Sequence, residues 1–424
     1  MLTKELTAKY IAILEEELIP AMGCTEPIAL AYASALARKT LGVLPEQVEL
    51  SVSANIVKNV KSVIVPHTGS LRGIEAAAAA GIVAGNPDRE LEVLSSVTEE
   101  QILQIREYLA SADITVNTSE SGYIFDILVR ATAGDHWATV RIAGNHTNVI
   151  LVEKDGEALI SRDYKEQGPV QHTDRSILNV ADIIEFADTV CLESVRPVLD
   201  RQIACNTAIA EEGLRGKWGA SIGKVLLEAY GDSVHNRAKA WAAAGSDARM
   251  SGCELPVVIN SGSGNQGLTA SLPVIIYAQH LQRSQEQLYR ALLVSNLITI
   301  HLKTGIGCLS AYCGATSAGC GAGAGIAYLY GGKAWEISHT IVNAVAINSG
   351  MICDGAKPSC AAKIASAVEA GLLGMHMQQQ GTQFYGGDGI VVKGVENTIN
   401  NIGRLARVGM AETDKEIIQI MIGC

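Results

Sequence analysis

The sequence has 424 residues, 48% of them hydrophobic and 18% charged, which is typical of a compact folded chain long enough for two domains. Its net charge of −11 and the lack of any cluster of lysines and arginines exclude nucleic acid and anionic membranes from the expected partners. Aromatic residues are scarce and glycine is abundant, so we expect small side chains to dominate the core.

Residues 1–45 are predicted to form two helices that pack on a catalytic domain farther along the chain. Apolar residues recur at helical spacing from Leu6 to Leu18, and a second helix is predicted from the N-cap Thr25 to the stop at Gly42. The charged N-terminus lacks the apolar centre of a secretion signal. We therefore expect a cytoplasmic protein whose ten cysteines are reduced or bind metal.

Residues 46–170 are predicted to form an α+β domain with mainly antiparallel strands. Helices are expected at 69–85 and 99–112. The predicted strands alternate apolar with polar residues and are rich in Val and Ile; they are QVELSVSANIV, KSVIVP, ITVNTS, GYIFDILVRATAG, HWATVRIAG and TNVILVEKDGEALI.

Residues 175–424 are predicted to form an all-helical catalytic domain, which follows a polar linker at 166–180. The segment 304–332 has no charged residue, but its many glycines favour a buried core segment over a membrane span. The predicted fold class is therefore α+β, a mixed segment followed by a large helical domain. Helical runs are expected at 181–195, 200–213, 219–230, 235–244, 266–281, 285–303, 336–348, 361–375 and 393–409.

Three cysteines of the helical domain, Cys313, Cys353 and Cys360, are candidates for a metal centre. Thiolates hold iron–sulfur clusters, and Cys360 is predicted at the start of a helix, where negative charge is stabilised. A C-x6-C pair with a distant third cysteine is not a zinc spacing. The alternative is that these cysteines only fill the core. Cys320 lies close enough in sequence to compete with Cys313 as a ligand.

Two polar regions are candidates for substrate binding. The loop INSGSGNQG offers backbone N–H groups before a predicted helix, which suits a carboxylate or phosphate. The alternatives are a plain helix–helix loop for the first region and turn-forming asparagines for the second. The side chains of the loop are Ser261, Ser263, Asn265 and Gln266. Those at predicted strand edges, which could orient the charges of an amino acid, are Asn55, Lys58, Asn59, Asn145, His146 and Thr147.

Cys24 immediately precedes a predicted helix N-terminus. That position lowers the pKa of a thiol and favours the thiolate at neutral pH. Such a thiolate could act as a general base or as a nucleophile. A purely structural cysteine is the alternative.

Taken together, the segments GCTEPIALAYA, NIVKN, GNHTN and SGSGNQG, with the Cys313…Cys353-Asp-Gly…Cys360 arrangement, resemble the L-cysteine desulfidase family over essentially the whole chain. The C-terminal half is also similar to the alpha chain of iron–sulfur L-serine dehydratases. The resemblance implies a [4Fe–4S] lyase that converts L-cysteine to sulfide, pyruvate and ammonia by β-elimination, without pyridoxal phosphate. It implies Cys313, Cys353 and Cys360 as ligands that leave one iron open as a Lewis acid.

The resemblance also implies a base near the substrate, with Cys24 expected in that role and Lys58 or His146 as its replacement. We expect the SGSGNQG loop to face the cluster across a cleft between the two domains. A serine dehydratase with the same cluster, a pyridoxal phosphate lyase and a non-enzymatic amino-acid-binding protein remain as alternatives. The role of Cys424 and the oligomeric state, with a homodimer as one arrangement, are left open.

Overall fold

The computed structural model describes residues 2–164, 173–307 and 309–422. Its helices are α1 Lys4–Glu17, α2 Thr25–Leu41, α3 Ala54–Val60, α4 Ile74–Ala84, α5 Glu99–Ser111, α6 Val180–Thr189, α7 Arg196–Arg215, α8 Ile222–Tyr230, α9 Val234–Met250, α10 Gly264–His280, α11 Gln285–Ile306, α12 Gly314–Leu329, α13 Ala334–Ile347, α14 Cys360–Gln379, α15 Val395–Arg404 and α16 Ala411–Ile422. Its strands are β1 Pro20–Met22, β2 Gln47–Val52, β3 Asp113–Thr118, β4 Asp126–Ala133, β5 His136–Ala143, β6 Val149–Lys154, β7 Glu157–Ser161 and β8 Pro256–Val258. The mixture of one substantial sheet with many helices confirms the predicted α+β class.

The larger sheet has the strand order β3-β2-β4-β5-β6-β7, in which only the β2–β3 pair is parallel. Alternation along β4 buries Ile127, Val129 and Ala131 on one face. Helix α2 packs on β4 and β5, and α4 packs on α2. A Cβ at Gly81 would lie 2.1 Å from the Ala31 carbonyl oxygen, so the close approach of α4 to α2 requires glycine.

The helical part is built around α12, which packs between α11, α14 and α10. A Cβ at Gly319 would lie 2.2 Å from the Ala367 carbonyl oxygen, and one at Gly323 would lie 2.6 Å from that of Gly371. Because both contacts advance by four residues, α12 and α14 run side by side in the same direction. Their N-termini therefore lie at the same end of the helical part, which places Cys313 near Cys360.

The structure differs from the sequence-based prediction in several elements. Residues 54–60 form a helix rather than the end of a strand, and the glycine-rich residues 314–329 form a helix that was not predicted. Within the otherwise helical region, β8 forms a small antiparallel sheet with β1. No helix in the described part of the chain is long and apolar enough to cross a membrane.

The division of the chain into domains stays a prediction. Of the two N-terminal helices, α1 touches α11 of the helical part. Helix α2 instead packs mainly on the sheet and on α4, because its buried face covers β4 and β5. Its first turn meets the helical part, where Thr25 donates a hydrogen bond of 3.0 Å to the Gly262 carbonyl.

Candidate functional site

Four helices begin at one cavity of about 110 Å³. It is lined by Cys24 before α2, Ser263 before α10, Cys313 before α12 and Cys360 at the start of α14. The unpaired N–H groups at a helix N-terminus carry partial positive charge. The convergence of four such ends therefore favours anionic groups in this cavity.

The loops that carry Cys313 and Cys353 are held together by a short antiparallel bridge. Tyr312 pairs with Ile352, Cys313 N–H donates to the Met351 carbonyl at 3.0 Å, and Cys353 N–H donates to the Ala311 carbonyl at 2.6 Å. This pairing brings the two thiols within hydrogen-bonding reach of each other.

Gly355 positions the turn after Cys353. Its φ is +90°, and a Cβ there would lie 2.3 Å from the Lys58 carbonyl oxygen. The turn therefore packs directly on the main chain of α3. The Cys360 thiol donates a hydrogen bond of 3.7 Å to the Gly355 carbonyl oxygen.

The three thiols have different protonation. A hydrogen bond from Cys313 lowers the pKa of Cys353 to about 6, and the charges of Lys58 and Lys303 act in the same direction. The same hydrogen bond, together with burial, raises the pKa of Cys313 well above its usual value, and burial raises that of Cys360. At neutral pH, Cys353 is therefore a thiolate that accepts a hydrogen bond from the Cys313 thiol.

The donor set fits an iron–sulfur cluster. In the described ranges, no three His, Cys, Asp or Glu side chains lie close enough together to bind a single metal ion. A cluster instead spreads its thiolate ligands over several irons, and Cys313, Cys353 and Cys360 all line one cavity. Helix N-termini and cationic side chains at that cavity suit the negative charge that thiolates bring.

Positive side chains predominate in the cavity lining: Lys58, Arg249, Lys303 and Lys363, against the single lining carboxylate of Glu26. Lys58, whose side chain is 1% exposed, lies 2.5 Å from the Asp414 carboxylate on α16. Lys363 pairs with Asp354, and two lysines lower the pKa of that carboxyl to about 2 despite its burial.

The three candidate bases differ in their surroundings. Cys24 donates to Glu26 Oε2 at 3.1 Å, and burial followed by the Glu26 charge raises its pKa well above the usual value. The expectation of a Cys24 thiolate is therefore wrong, because burial and Glu26 outweigh the helix N-terminus. Burial lowers the pKa of His146, so its imidazole is neutral at pH 7. Among the described residues, His146 Nε2 has no hydrogen-bond partner, whereas Lys58 is paired with Asp414.

The family model described as the serine dehydratase alpha chain matches residues 88–419. The chain belongs to the serine dehydratase alpha chain family. It is 60% identical to a UPF0597 protein of Desulfitobacterium hafniense (strain Y51), over 97% of this chain and 96% of that protein. UPF0597 proteins of Lachnoclostridium phytofermentans and Treponema denticola are 50% and 45% identical, over 98% and 99% of this chain and 99% of each relative.

The part of the chain matched to the serine dehydratase alpha chain family contains Cys313, Cys353, Cys360, His146 and the SGSGNQG loop. Cys24 and Lys58 precede the matched residues but line the same cavity. Further predicted residues that line it are Asn59, Ser261, Ser263, Asn265 and Gln266.

Several predicted residues lie elsewhere. Asn145 and Thr147 line a neighbouring cavity of about 830 Å³, which shares His146 and Ser261 with the first. The Asn55 carbonyl accepts a hydrogen bond of 3.0 Å from the Asn59 side chain, but Asn55 lines neither cavity.

Two further cysteines were weighed as ligands from the sequence. The Cys320 thiol contacts the Ile341 carbonyl oxygen at 3.7 Å and is not part of the cavity lining that contains Cys313. Cys424 lies outside the described residues.

Sequence reasoning missed Glu26, Arg249 and Lys303, which all line the cavity. Glu26 stands within the quoted GCTEP segment, where its charge next to Cys24 was the available signal. Arg249 and Lys303 lie within regular helices, and no local pattern distinguishes them from surface charges.

Proposed function

We propose that this protein is an iron–sulfur lyase that eliminates the β-substituent of L-cysteine, yielding sulfide, pyruvate and ammonia. The observation that carries the proposal is the meeting of Cys313, Cys353 and Cys360 with a neutral His146 around one cavity. Membership of the serine dehydratase alpha chain family supports the broader assignment as a lyase. The reduced thiols suit a reducing cytoplasm.

In this proposal, Cys313, Cys353 and Cys360 hold a [4Fe–4S] cluster. With three protein ligands, the bound cluster would supply one open iron as a Lewis acid for the leaving sulfur. The protein contributes the thiolates and their environment. Lys58 and Lys303 already favour the anionic form of Cys353, and two of the three cysteines stand at helix starts that stabilise negative charge.

His146 is the base in this proposal, because its buried imidazole is neutral and Nε2 is free of other partners in the described part of the chain. It takes the proton from Cα; the Cα–H electron pair forms the Cα=Cβ bond, and the Cβ–S pair leaves with sulfur as hydrogen sulfide ion. The resulting 2-aminoacrylate tautomerises to an imine, which water hydrolyses to pyruvate and ammonia.

Cys24 acts here as a thiol rather than as a base. It is held protonated by burial and by its hydrogen bond to Glu26, so it can donate a proton but cannot take one at neutral pH. The charge of Lys58 lowers the pKa of Cys353, and the ion pair of Lys58 with Asp414 holds α16 in place.

L-Serine dehydration is the second candidate, and the description of the matched family favours it. Both reactions need the same base and the same ligands and differ in the leaving group.

The decisive experiment is anaerobic purification with iron and sulfide analysis, followed by assays of sulfide and pyruvate with L-cysteine and L-serine. We expect bound iron, and equal amounts of sulfide and pyruvate from L-cysteine. Turnover of L-serine alone would replace the proposal with a dehydratase. Iron-free protein that cannot be reconstituted, or one that binds L-cysteine without releasing sulfide, would refute the lyase proposal.

A further inference from the structure

Arg249 is a buried cation at the cavity that has no carboxylate partner in the described ranges. The residue lies in the last turn of α9, is 2% exposed and lines the cavity with its side chain. Its Nη1 contacts only the weak acceptor Met250 Sδ, at 3.4 Å, and its Nε has no hydrogen-bond partner among the described residues.

An unpaired buried charge is unfavourable, because burial removes the water that would stabilise it. The other cations of the lining are placed differently. Lys58 is paired with Asp414 and Lys363 with Asp354, and Lys303 also has an interaction partner. Arg249 is therefore the lining cation whose charge is left for a ligand to neutralise.

The main chain around Arg249 reinforces its attraction for an anion. Gly264 is the first residue of α10, and a Cβ there would lie 2.3 Å from Arg249 Nε. The guanidinium thus packs directly against the N-terminus of α10. Guanidinium groups bind carboxylates through paired N–H donors, and a helix N-terminus adds further N–H groups and positive potential.

The same cavity also offers acceptors. Asn265 Oδ1 and Gln266 Oε1 are buried without hydrogen-bond partners among the described residues, and the Glu26 carboxylate lies on the same lining. A carboxylate needs donors and an ammonium group needs acceptors. A cavity that leaves both kinds unsatisfied matches an α-amino acid better than it matches an anion without an ammonium group.

We propose that Arg249 binds the α-carboxylate of the amino-acid substrate and so restricts the site to ligands with a free carboxylate. This inference rests on the proposed function, because it takes the ligand of the cavity to be an amino acid. Arg249 also disfavours protonation of His146 through its charge. Neutralisation of the guanidinium by a bound carboxylate would make His146 more basic, at the moment when a proton is to be removed.

L-Alanine and L-alaninamide are suitable probes, because alanine lacks a leaving group and the amide lacks only the carboxylate charge. Binding is measured by calorimetry on wild-type protein, Arg249→Met and Arg249→Lys. We expect Arg249→Met to weaken the binding of L-alanine about 10- to 100-fold, which is the range for a lost charge-assisted hydrogen bond. L-Alaninamide binding should change less than about 3-fold, and Arg249→Lys should lie between Met and wild type.

Thermal unfolding distinguishes a ligand-binding role from a structural one. Arg141 is the matched control, since it forms two hydrogen bonds of 2.8 Å to the fully buried Asp126. Arg141→Met should lower the melting temperature because it leaves the buried Asp126 carboxylate without a cationic partner, whereas Arg249→Met should keep or raise it in the ligand-free protein. If Arg249→Met does not fold, the charge-retaining variant Arg249→Lys is measured instead. A carboxylate-binding role then requires that Arg249→Lys loses more affinity for L-alanine than for L-alaninamide.

The inference is overturned if Arg249→Met weakens the binding of L-alanine and of L-alaninamide equally, or if the wild-type protein binds neither. It is also overturned if the melting temperature of Arg249→Met falls as far as that of Arg141→Met. It is also overturned if Arg249→Met releases sulfide from L-cysteine with the wild-type kcat/KM. Arg249-dependent binding of L-alanine by a protein that releases no sulfide would instead refute the proposed function and keep this inference.

Discussion

Replacement of Cys313 by alanine tests the thiol–thiolate pair directly. The Cys313 hydrogen bond is the largest influence that lowers the pKa of Cys353 to about 6, from a usual value of 9.0. At pH 7, a thiol with a pKa of 6 is about 90% thiolate, whereas one with a pKa of 9 is about 1% thiolate. In Cys313→Ala, the charges of Lys58 and Lys303 still lower the pKa of Cys353, but burial raises it. The pKa of Cys353 should therefore return most of the way to 9.

The assay is alkylation of reduced, chelator-treated protein by iodoacetamide as a function of pH, with Cys353 followed by mass spectrometry. The midpoint pH is the quantity to compare, because a thiolate of lower pKa is also a weaker nucleophile and the rates partly compensate. Cys320→Ala is the control, since Cys320 contacts the Ile341 carbonyl oxygen outside the cavity lining and its loss should leave the midpoint near pH 6. An unchanged midpoint in Cys313→Ala would refute the hydrogen-bonded pair.

Three further predictions concern the ligands, the base and the C-terminal helix. Serine at any of the three proposed ligands should abolish iron binding and turnover; these variants are Cys313→Ser, Cys353→Ser and Cys360→Ser. Serine at two cysteines outside the cavity, in the controls Cys191→Ser and Cys253→Ser, should preserve both. His146→Ala should keep its iron but stop exchange of the substrate Cα proton with deuterium, which Cys24→Ala should not do if His146 is the base. Because burial lowers the pKa of His146 below 6.5, wild-type kcat/KM should stay level down to that pH and fall only under more acidic conditions. Asp414→Asn leaves the buried Lys58 charge unpaired and should lower the free energy of unfolding by about 3–5 kcal/mol. In the control Glu412→Gln, loss of the exposed Lys415–Glu412 pair should lower it by at most about 1 kcal/mol. Denaturant unfolding of both variants measures the difference.

The strands were predictable where one face of the sheet is buried. Alternation in 126–133 and 136–143 follows directly from the packing of α2 on β4 and β5, and the sequence shows it. The helix 314–329 was not predictable from local preference. Each glycine in a helix interior costs about 1 kcal/mol relative to alanine, but close packing on α11 and α14 outweighs that penalty. Ala54–Val60 was misassigned because Val and Ile favour strands locally, while the tertiary position of the segment under Gly355 selects a helix.

The candidate site was predictable where residue type alone carries chemistry. Thiols and a glycine-rich loop are recognisable by composition, so Cys313, Cys353 and Cys360 could be singled out before their positions were known. The protonation of Cys24 and the unpaired charge of Arg249 were not predictable. Each depends on a neighbour that is distant in sequence or on burial, as with Arg249 and Gly264 at the start of another helix.

The glycine contacts between α12 and α14 have a consequence for the order of folding and binding of the proposed cluster. Those contacts involve only protein atoms, and they fix the two helix starts that carry Cys313 and Cys360. In zinc fingers, by contrast, metal binding supplies the free energy of folding. Here the polypeptide can reach its native form first and receive the cluster afterwards. The proposed cluster would then enter a cavity whose cationic lining is already in place.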